Sequence, residues 1–154
     1  MDTTAPHSND AYRAFLQEIP KTSPGTLGGR MLRHYWHPVC LSKDLVDVPF
    51  PVRMLGENLV AFRGVDGAVG LIADRCAHRC ASLQYGQIHP SGLKCSYHGW
   101  TYDARGKVVD MPLEPVNSRL KDEIRHPWYP VQEWPASSGP TWARKSTTRR
   151  PCPR

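Results

Sequence analysis

The chain has 154 residues, 40% of them apolar and 22% charged, with 15 prolines and 12 glycines. That is the length of one domain, apolar enough to bury a core, and its Pro and Gly content favours short strands and turns over long helices. The formal charge of +6 hints at a polyanionic partner, but five of the 20 basic residues and none of the 14 acidic ones lie beyond Ala136, which leaves the rest at fifteen against fourteen, a net of +1.

The five basic residues of the tail, Arg144, Lys145, Arg149, Arg150 and Arg154, read as a solvated segment. No basic stripe with interleaved aromatics marks the body, so no nucleic acid is expected as a partner. No run of about 18 apolar residues is present, so no membrane span is expected. Residues 1–10 carry Asp2 and Asp10 with no basic cluster and no apolar stretch, unlike a secretory signal. The expected compartment is the cytoplasm, where five cysteines are more often ligands or free thiols than disulfides.

In chain order, Asn9 can cap a helix on which Tyr12, Phe15, Leu16 and Ile19 fall at i, i+3, i+4 and i+7. That stripe is expected to dock the helix on the body, and Pro20 ends it. Pro24-Gly25-Thr26 and Gly28-Gly29 read as a loop, and Tyr35 to Val39 as the start of a strand. Val52–Leu55 and Leu59–Arg63 flank Gly56-Glu57-Asn58, a hairpin signal. Val65-Asp66-Gly67 turns into a strand over Ala68–Ile72, and Asp103 to Gly106 joins Thr101-Tyr102 to Lys107–Val109. Short strands with a turn every eight to twelve residues predict a mainly β domain, antiparallel throughout.

Between those hairpins stands Cys76-Ala77-His78. After sixteen intervening residues comes Cys95-Ser96-Tyr97-His98. Each half offers one thiolate and one imidazole, donors that suit zinc, copper or iron–sulfur chemistry. A structural zinc finger usually groups two Cys together and two His together. Here the types are split evenly between two loops. That suits a two-metal cluster in which Cys76 and Cys95 bind one iron and His78 and His98 the other, the donor set of a Rieske [2Fe–2S] centre. A zinc-binding interaction module remains the alternative from another class.

Other candidates are weaker. His34, His37, His89 and His126 share no ligand spacing, and His37-Pro38 and His126-Pro127 read as strand-start or turn positions. Cys40 reads as a buried thiol, Trp36, Trp128 and Trp134 as packing, and Asp110 and Glu114 as solvated loop residues.

At these motifs the chain resembles the N-terminal Rieske domain of a ring-hydroxylating oxygenase α subunit, of the phthalate dioxygenase-like group. The stretches that carry the likeness are Gly25-Thr26 with Gly29-Arg30, Arg33 to Val39, Cys76-Ala77-His78-Arg79, Cys95 to Trp100, Asp110 to Pro115, and Tyr129-Pro130-Val131. The resemblance implies a Rieske iron–sulfur fold, an antiparallel β sandwich with a small cluster-binding subdomain, here preceded by a short N-terminal helix. It implies Cys76, His78, Cys95 and His98 as cluster ligands, with Arg79, Cys80, Tyr97, Gly99 and Trp100 around them. It further implies one-electron transfer from an NAD(P)H-dependent reductase, itself carrying flavin and iron–sulfur centres, to a mononuclear Fe(II) in a C-terminal catalytic domain. The full-length protein is then expected to be a homo-oligomer acting as a mono- or dioxygenase in aromatic ring hydroxylation. The facial triad of that iron is absent from this sequence, so no catalytic residue is expected in it, and the chain alone is expected to transfer electrons only. A free-standing Rieske-type ferredoxin is the second alternative.

Two departures stand out. The residue after Arg79 is commonly Gly in the family and is Cys80 here. Respiratory Rieske proteins join an extra Cys of each loop, but Tyr97 holds the second loop's position, so Cys80 has no counterpart there. They also place a Ser hydroxyl after the second His-Gly, where this chain has Trp100. With no hydroxyl there, and with the ring expected over the cluster's flank, the potential is expected below about 0 mV, in the low half of the Rieske range.

The expected organisation is residues 1–24 as helix and linker, 25–134 as the Rieske domain, and 135–154 as a basic tail outside it without strand periodicity. The family would continue with Gly-Leu-Ile-Trp-Ala-Tyr-Met-Gly-Pro. Codons chosen for the segment from Ala136, read one base earlier, can spell that run, so a shifted reading frame is the expected origin of the tail.

Overall fold

The computed structural model describes residues 8–115, 117–133 and 140–143. The expectations for Trp134, the charged positions from 144 on and Cys152 fall outside the described residues. Helix α1 spans Ser8–Glu18 and α2 Leu27–Leu32. Strands follow as β1 His37–Leu41, β2 Phe50–Met54, β3 Glu57–Arg63 and β4 Val69–Ala73. Next come β5 Gln87–His89, β6 Gly92–Lys94, β7 Thr101–Tyr102 and β8 Val108–Asp110. A short helix α3 (Leu120–Glu123) leads to β9 Trp128–Tyr129, β10 Val131–Glu133 and β11 Pro140–Ala143.

Three antiparallel sheets result, in the orders β1-β11-β10, β2-β3-β4-β9 and β5-β6-β7-β8. The mainly β expectation holds. The β2–β3 hairpin is tighter than expected: Met54 pairs with Glu57, and Leu55 and Gly56 alone turn the chain, at φ +49° and +73°. Two positive φ values in succession match the right-handed twist of the strands.

Strand β3 divides the interior because side chains alternate along a strand. Val60 and Phe62 enter one core with Ile72, Leu83, Leu93, Trp100, Tyr102 and Val108. Leu59 and Ala61 enter another with Leu45, Leu71 and Tyr129. The first core also contains Cys76 and Cys95, so it is the floor of the site. Each large apolar side chain there contributes roughly 1.5–3 kcal/mol by leaving water. Phe62→Ala, at a residue 1% exposed, costs about 3–5 kcal/mol once the cavity is included.

Three expectations change. The stripe on α1 does not dock: Tyr12, Phe15, Leu16 and Ile19 stay 41–59% exposed. The Gly28-Gly29 loop is instead the first turn of α2, capped by Thr26, whose Oγ1 accepts the Gly29 N–H at 3.1 Å. Glycine is required there, since a Cβ on Gly28 would lie 2.0 Å from the carbonyl oxygen of Ile19. Finally, Pro140–Ala143 lies in the segment expected to lack strands, yet it pairs with both β1 and β10. Ladder bonds join backbone to backbone, so a strand can form there without an alternating side-chain pattern.

Arg33, at the end of α2, locks the helices to the hairpin. Its guanidinium donates to Glu57 Oε1 at 2.7 and 3.2 Å and to the carbonyls of Thr22, Gly29 and Leu55 at 2.7–2.8 Å. The Tyr129 hydroxyl donates to the same carboxylate oxygen at 2.7 Å. Removing either charge strands the other in the interior, at a cost of about 3–5 kcal/mol.

Candidate metal centre

The first loop leaves β4 through Asp74. This buried carboxylate accepts the Ser82 hydroxyl at 2.6 Å and the Gln84 N–H at 3.3 Å, while its carbonyl accepts the Leu83 N–H at 2.7 Å. A bridge between Arg75 and Ser82 closes the neck. Inside it, the Cys76 N–H donates to the Ala81 carbonyl and the Cys80 N–H to the Cys76 carbonyl, both at 2.8 Å. The second loop lies between β6 and β7. There the Cys95 N–H reaches the Trp100 carbonyl at 2.8 Å and the Gly99 N–H the Cys95 carbonyl at 3.0 Å.

These turns bring the four expected ligands together in two pairs. Cys76 and Cys95 are 2% and 3% exposed and belong to one core. Their proximity and burial push the Cys76 thiol up, and the same proximity draws Cys95 down. A lowered thiol favours the thiolate form that binds metal. The rings of His78 and His98 meet edge to face, 4.6 Å apart. Burial first, and then the nearby His98, lower the pKa of His78, favouring the neutral imidazole that a metal needs.

Trp100 is buried and stacks on His78 at 4.9 Å with 7° between the planes. Tyr97 packs on His98 at 3.8 Å and is otherwise exposed. Arg79 is exposed beside His78, and Gly99 takes φ +77° with its Cβ position 3.1 Å from Pro112.

Does this constellation fit an iron–sulfur cluster? His78 Nδ1 is buried with no hydrogen-bond partner, a position that costs about 1–3 kcal/mol unless something else occupies it. Two soft sulfurs pair on one side and two imidazoles on the other. Among the described residues no group of three or more His, Cys, Asp or Glu side chains converges as a single ion would require. The donors fit a two-iron centre better than a lone zinc.

Sequence reasoning missed Tyr102. Its hydroxyl lies 3.1 Å from Cys76 Sγ and accepts the Ala77 N–H at 3.0 Å. Burial, then the contact with Cys76, push its ionisation well above the usual phenol range. It stays protonated, so toward a metal-bound Cys76 thiolate it is the donor. Its place two residues beyond Trp100 on a strand, on the face that Trp100 buries, was the available signal. Asp74 was missed as well.

His126 stands two residues before β9, at the strand start expected of it, and is wholly buried, its Nε2 2.7 Å from the Ala73 carbonyl. Cys40 is half-buried and packs against the other core, and the His37 ring bonds the Leu32 carbonyl at 2.7 Å. Neither joins the four candidate donors, and Cys80, expected with the other cysteines as a ligand or free thiol, is instead disulfide-bonded.

Comparison with known proteins agrees with this geometry. The Rieske [2Fe-2S] domain family matches residues 35–132. The tert-butanol monooxygenase / tert-amyl alcohol desaturase oxygenase subunit of Aquincola tertiaricarbonis is 47% identical over 116 residues, 75% of this chain and 25% of that protein. The phenoxybenzoate dioxygenase subunit alpha of Ectopseudomonas oleovorans is 41% identical over 133 residues, 84% of this chain and 32% of that one. Among solved structures, NdmA of Pseudomonas putida CBB5 superposes with a TM-score of 0.67 at 34% identity, covering 77% of this chain and 36% of that one. The chain therefore spans about a quarter to a third of the length of the curated relatives it matches. With the two donor pairs in place and 98 residues matched in sequence, the chain belongs to the Rieske [2Fe-2S] domain family.

Proposed function

We propose that the chain is the electron-transfer part of a Rieske oxygenase. Cys76 and Cys95 hold one iron of the cluster, and His78 and His98 the other. The observation that carries this reading is two buried cysteines in one core, each followed within three residues by an imidazole, the two imidazoles in ring contact and one with an unsatisfied buried nitrogen. When bound, the cluster supplies a one-electron couple. The protein holds it by two thiolates embedded in the core, and Tyr102 donates one hydrogen bond to a ligand sulfur. His78 and His98 are the half-exposed ligands, so a partner meets imidazole and not sulfur.

The electron donor is proposed to be an NAD(P)H-dependent reductase with flavin and iron–sulfur centres, and the acceptor a mononuclear iron in a further domain of a cytoplasmic homo-oligomer. Aromatic ring hydroxylation is supported by relatives named for phenoxybenzoate and for phthalate. Residues 25–134 form the cluster-binding domain in this reading, with β11 added to its sheet. The potential is proposed below about 0 mV. Tyr102 supplies one donor to sulfur, and Trp100 stands where a second hydroxyl would be.

Iron and acid-labile sulfide analysis of the purified chain tests the assignment. Two of each per chain are expected, with a Rieske EPR signal on reduction, whereas zinc without sulfide overturns it. Supplied with a reductase, the chain alone is expected to be reduced and reoxidised without forming hydroxylated product.

A further inference from the structure

We propose that His126 is a positioning residue for the centre: it packs its ring on Tyr102 and so holds the Tyr102 hydroxyl against Cys76 Sγ. The proposal rests on the reading of Cys76 as a cluster ligand. His126 is 0% exposed and sits between α3 and β9. Its Nε2 faces the Ala73 carbonyl at 2.7 Å. A carbonyl only accepts, so Nε2 carries the proton. Nδ1, also buried, has no partner.

As plain core filling this is a poor choice. An unpaired buried nitrogen costs about 1–3 kcal/mol, and an apolar side chain would avoid that cost. What histidine does here is make two contacts at once. The N–H ties Ala73, at the root of the first loop, and the ring meets the Tyr102 ring at 4.6 Å and 40°. Two backbone bonds hold the histidine itself: its N–H donates to the Gly106 carbonyl at 2.8 Å, and the Ala73 N–H to the Pro127 carbonyl at 2.9 Å. Tyr102 in turn touches the first loop twice, at Cys76 Sγ and at the Ala77 N–H. The chain of contact runs from His126 through one aromatic ring to a ligand sulfur. A bond to that sulfur is worth most when the cluster gains its electron, because added negative charge strengthens the acceptor. Tilting the Tyr102 ring therefore lowers the potential.

The test is a redox titration of the cluster-loaded full chain, followed by EPR. Tyr102→Phe is expected to shift the reduction equilibrium toward the oxidised form by about tenfold, ~59 mV for one electron. His126→Leu is expected to shift it the same way by about threefold to fivefold. His126→Phe keeps a ring against Tyr102 and is expected to stay within about twofold of wild type, which also answers the question should the Leu variant not fold. In the Tyr102→Phe background, His126→Leu is expected to add nothing. A His126→Leu potential equal to wild type, or shifts that add in the double variant, overturns the proposal and leaves the ligand assignment standing. A wild-type chain without a Rieske signal instead overturns the ligand assignment itself, and the proposal with it.

Discussion

The first cluster loop, Cys76 to Ala81, and the second, Cys95 to Trp100, repeat one backbone pattern. In each, the cysteine N–H bonds the carbonyl five residues on, and its own carbonyl receives the N–H four residues on. The fourth position after the cysteine takes a left-handed φ in both, +54° at Cys80 and +77° at Gly99. The supports differ. The second loop supplies Trp100, which stacks on the first loop's His78, and the strand after it supplies Tyr102, which bonds the first loop's Cys76. The first loop returns no such brace among the described contacts. Equal pairs of proposed ligands are thus held by unequal scaffolds, and the first loop leans on the second.

Removing a ligand breaks the comparison most severely. Alanine at Cys76, His78, Cys95 or His98 is expected to abolish the cluster from either loop alike, read as loss of visible absorbance and of the EPR signal. Loss from one loop only would show that the loops do not share the ligands equally.

Substitutions at the fourth position sharpen it. Gly99→Ala forces a side chain into the left-handed region and against Pro112, and is expected to destabilise the chain by about 1–2 kcal/mol in thermal or denaturant unfolding. Cys80→Gly relieves the same strain in the other loop but also removes the disulfide in which Cys80 takes part, so a net loss of stability is expected in the same unfolding measurement. Cys80→Ser and Cys40→Ser are expected to retain the cluster, since neither residue is among the four proposed ligands.

A pH series separates the roots of the loops. Burial holds His126 down to about 4 in the folded chain, against 6.5 in the unfolded one. The unfolded state therefore binds the extra proton between those values. Stability from this group is complete above pH 6.5 and is lost as pH falls toward 4, by up to ~1.4 kcal/mol per pH unit. Denaturant titrations across that window are expected to show the slope in wild type and a shallower one in His126→Phe.

The smallest effect is expected far from both loops. Arg63 pairs with Glu133 at 2.7 Å across the surface, with about a third of each side chain in water. Glu133→Gln is expected to cost less than ~1 kcal/mol and to leave the potential unchanged.

The four proposed ligands stand out in the sequence because metal donors must be Cys or His at spacings that two short loops can close. The hairpins were legible from glycine turns. What escaped was tertiary. Tyr102 and His126 look like ordinary strand and turn residues until folding sets one on the other. Nothing local to the α1 stripe tells whether the body will come to meet it. Cys80 is the intermediate case: the Gly that the family resemblance leads one to expect there would mark a left-handed position, and the structure finds Cys80 in that conformation.

Strands β5 and β6 give the sixteen-residue spacer a different meaning. Between the two loops the chain runs out along Gln87–His89 and back along Gly92–Lys94, and only Pro90 and Ser91 lie at the tip. Gly92 is fixed, because a Cβ there would lie 2.0 Å from the carbonyl oxygen of Tyr102. The tip is not fixed in that way. Extra residues inserted at Pro90-Ser91 would lengthen the count between His78 and Cys95 while the Gln87–Lys94 pairing kept both loops where they are. The number in the motif therefore measures the length of a hairpin, not a demand of the metal. A search that fixes it at sixteen would pass over chains with the same centre and a longer finger.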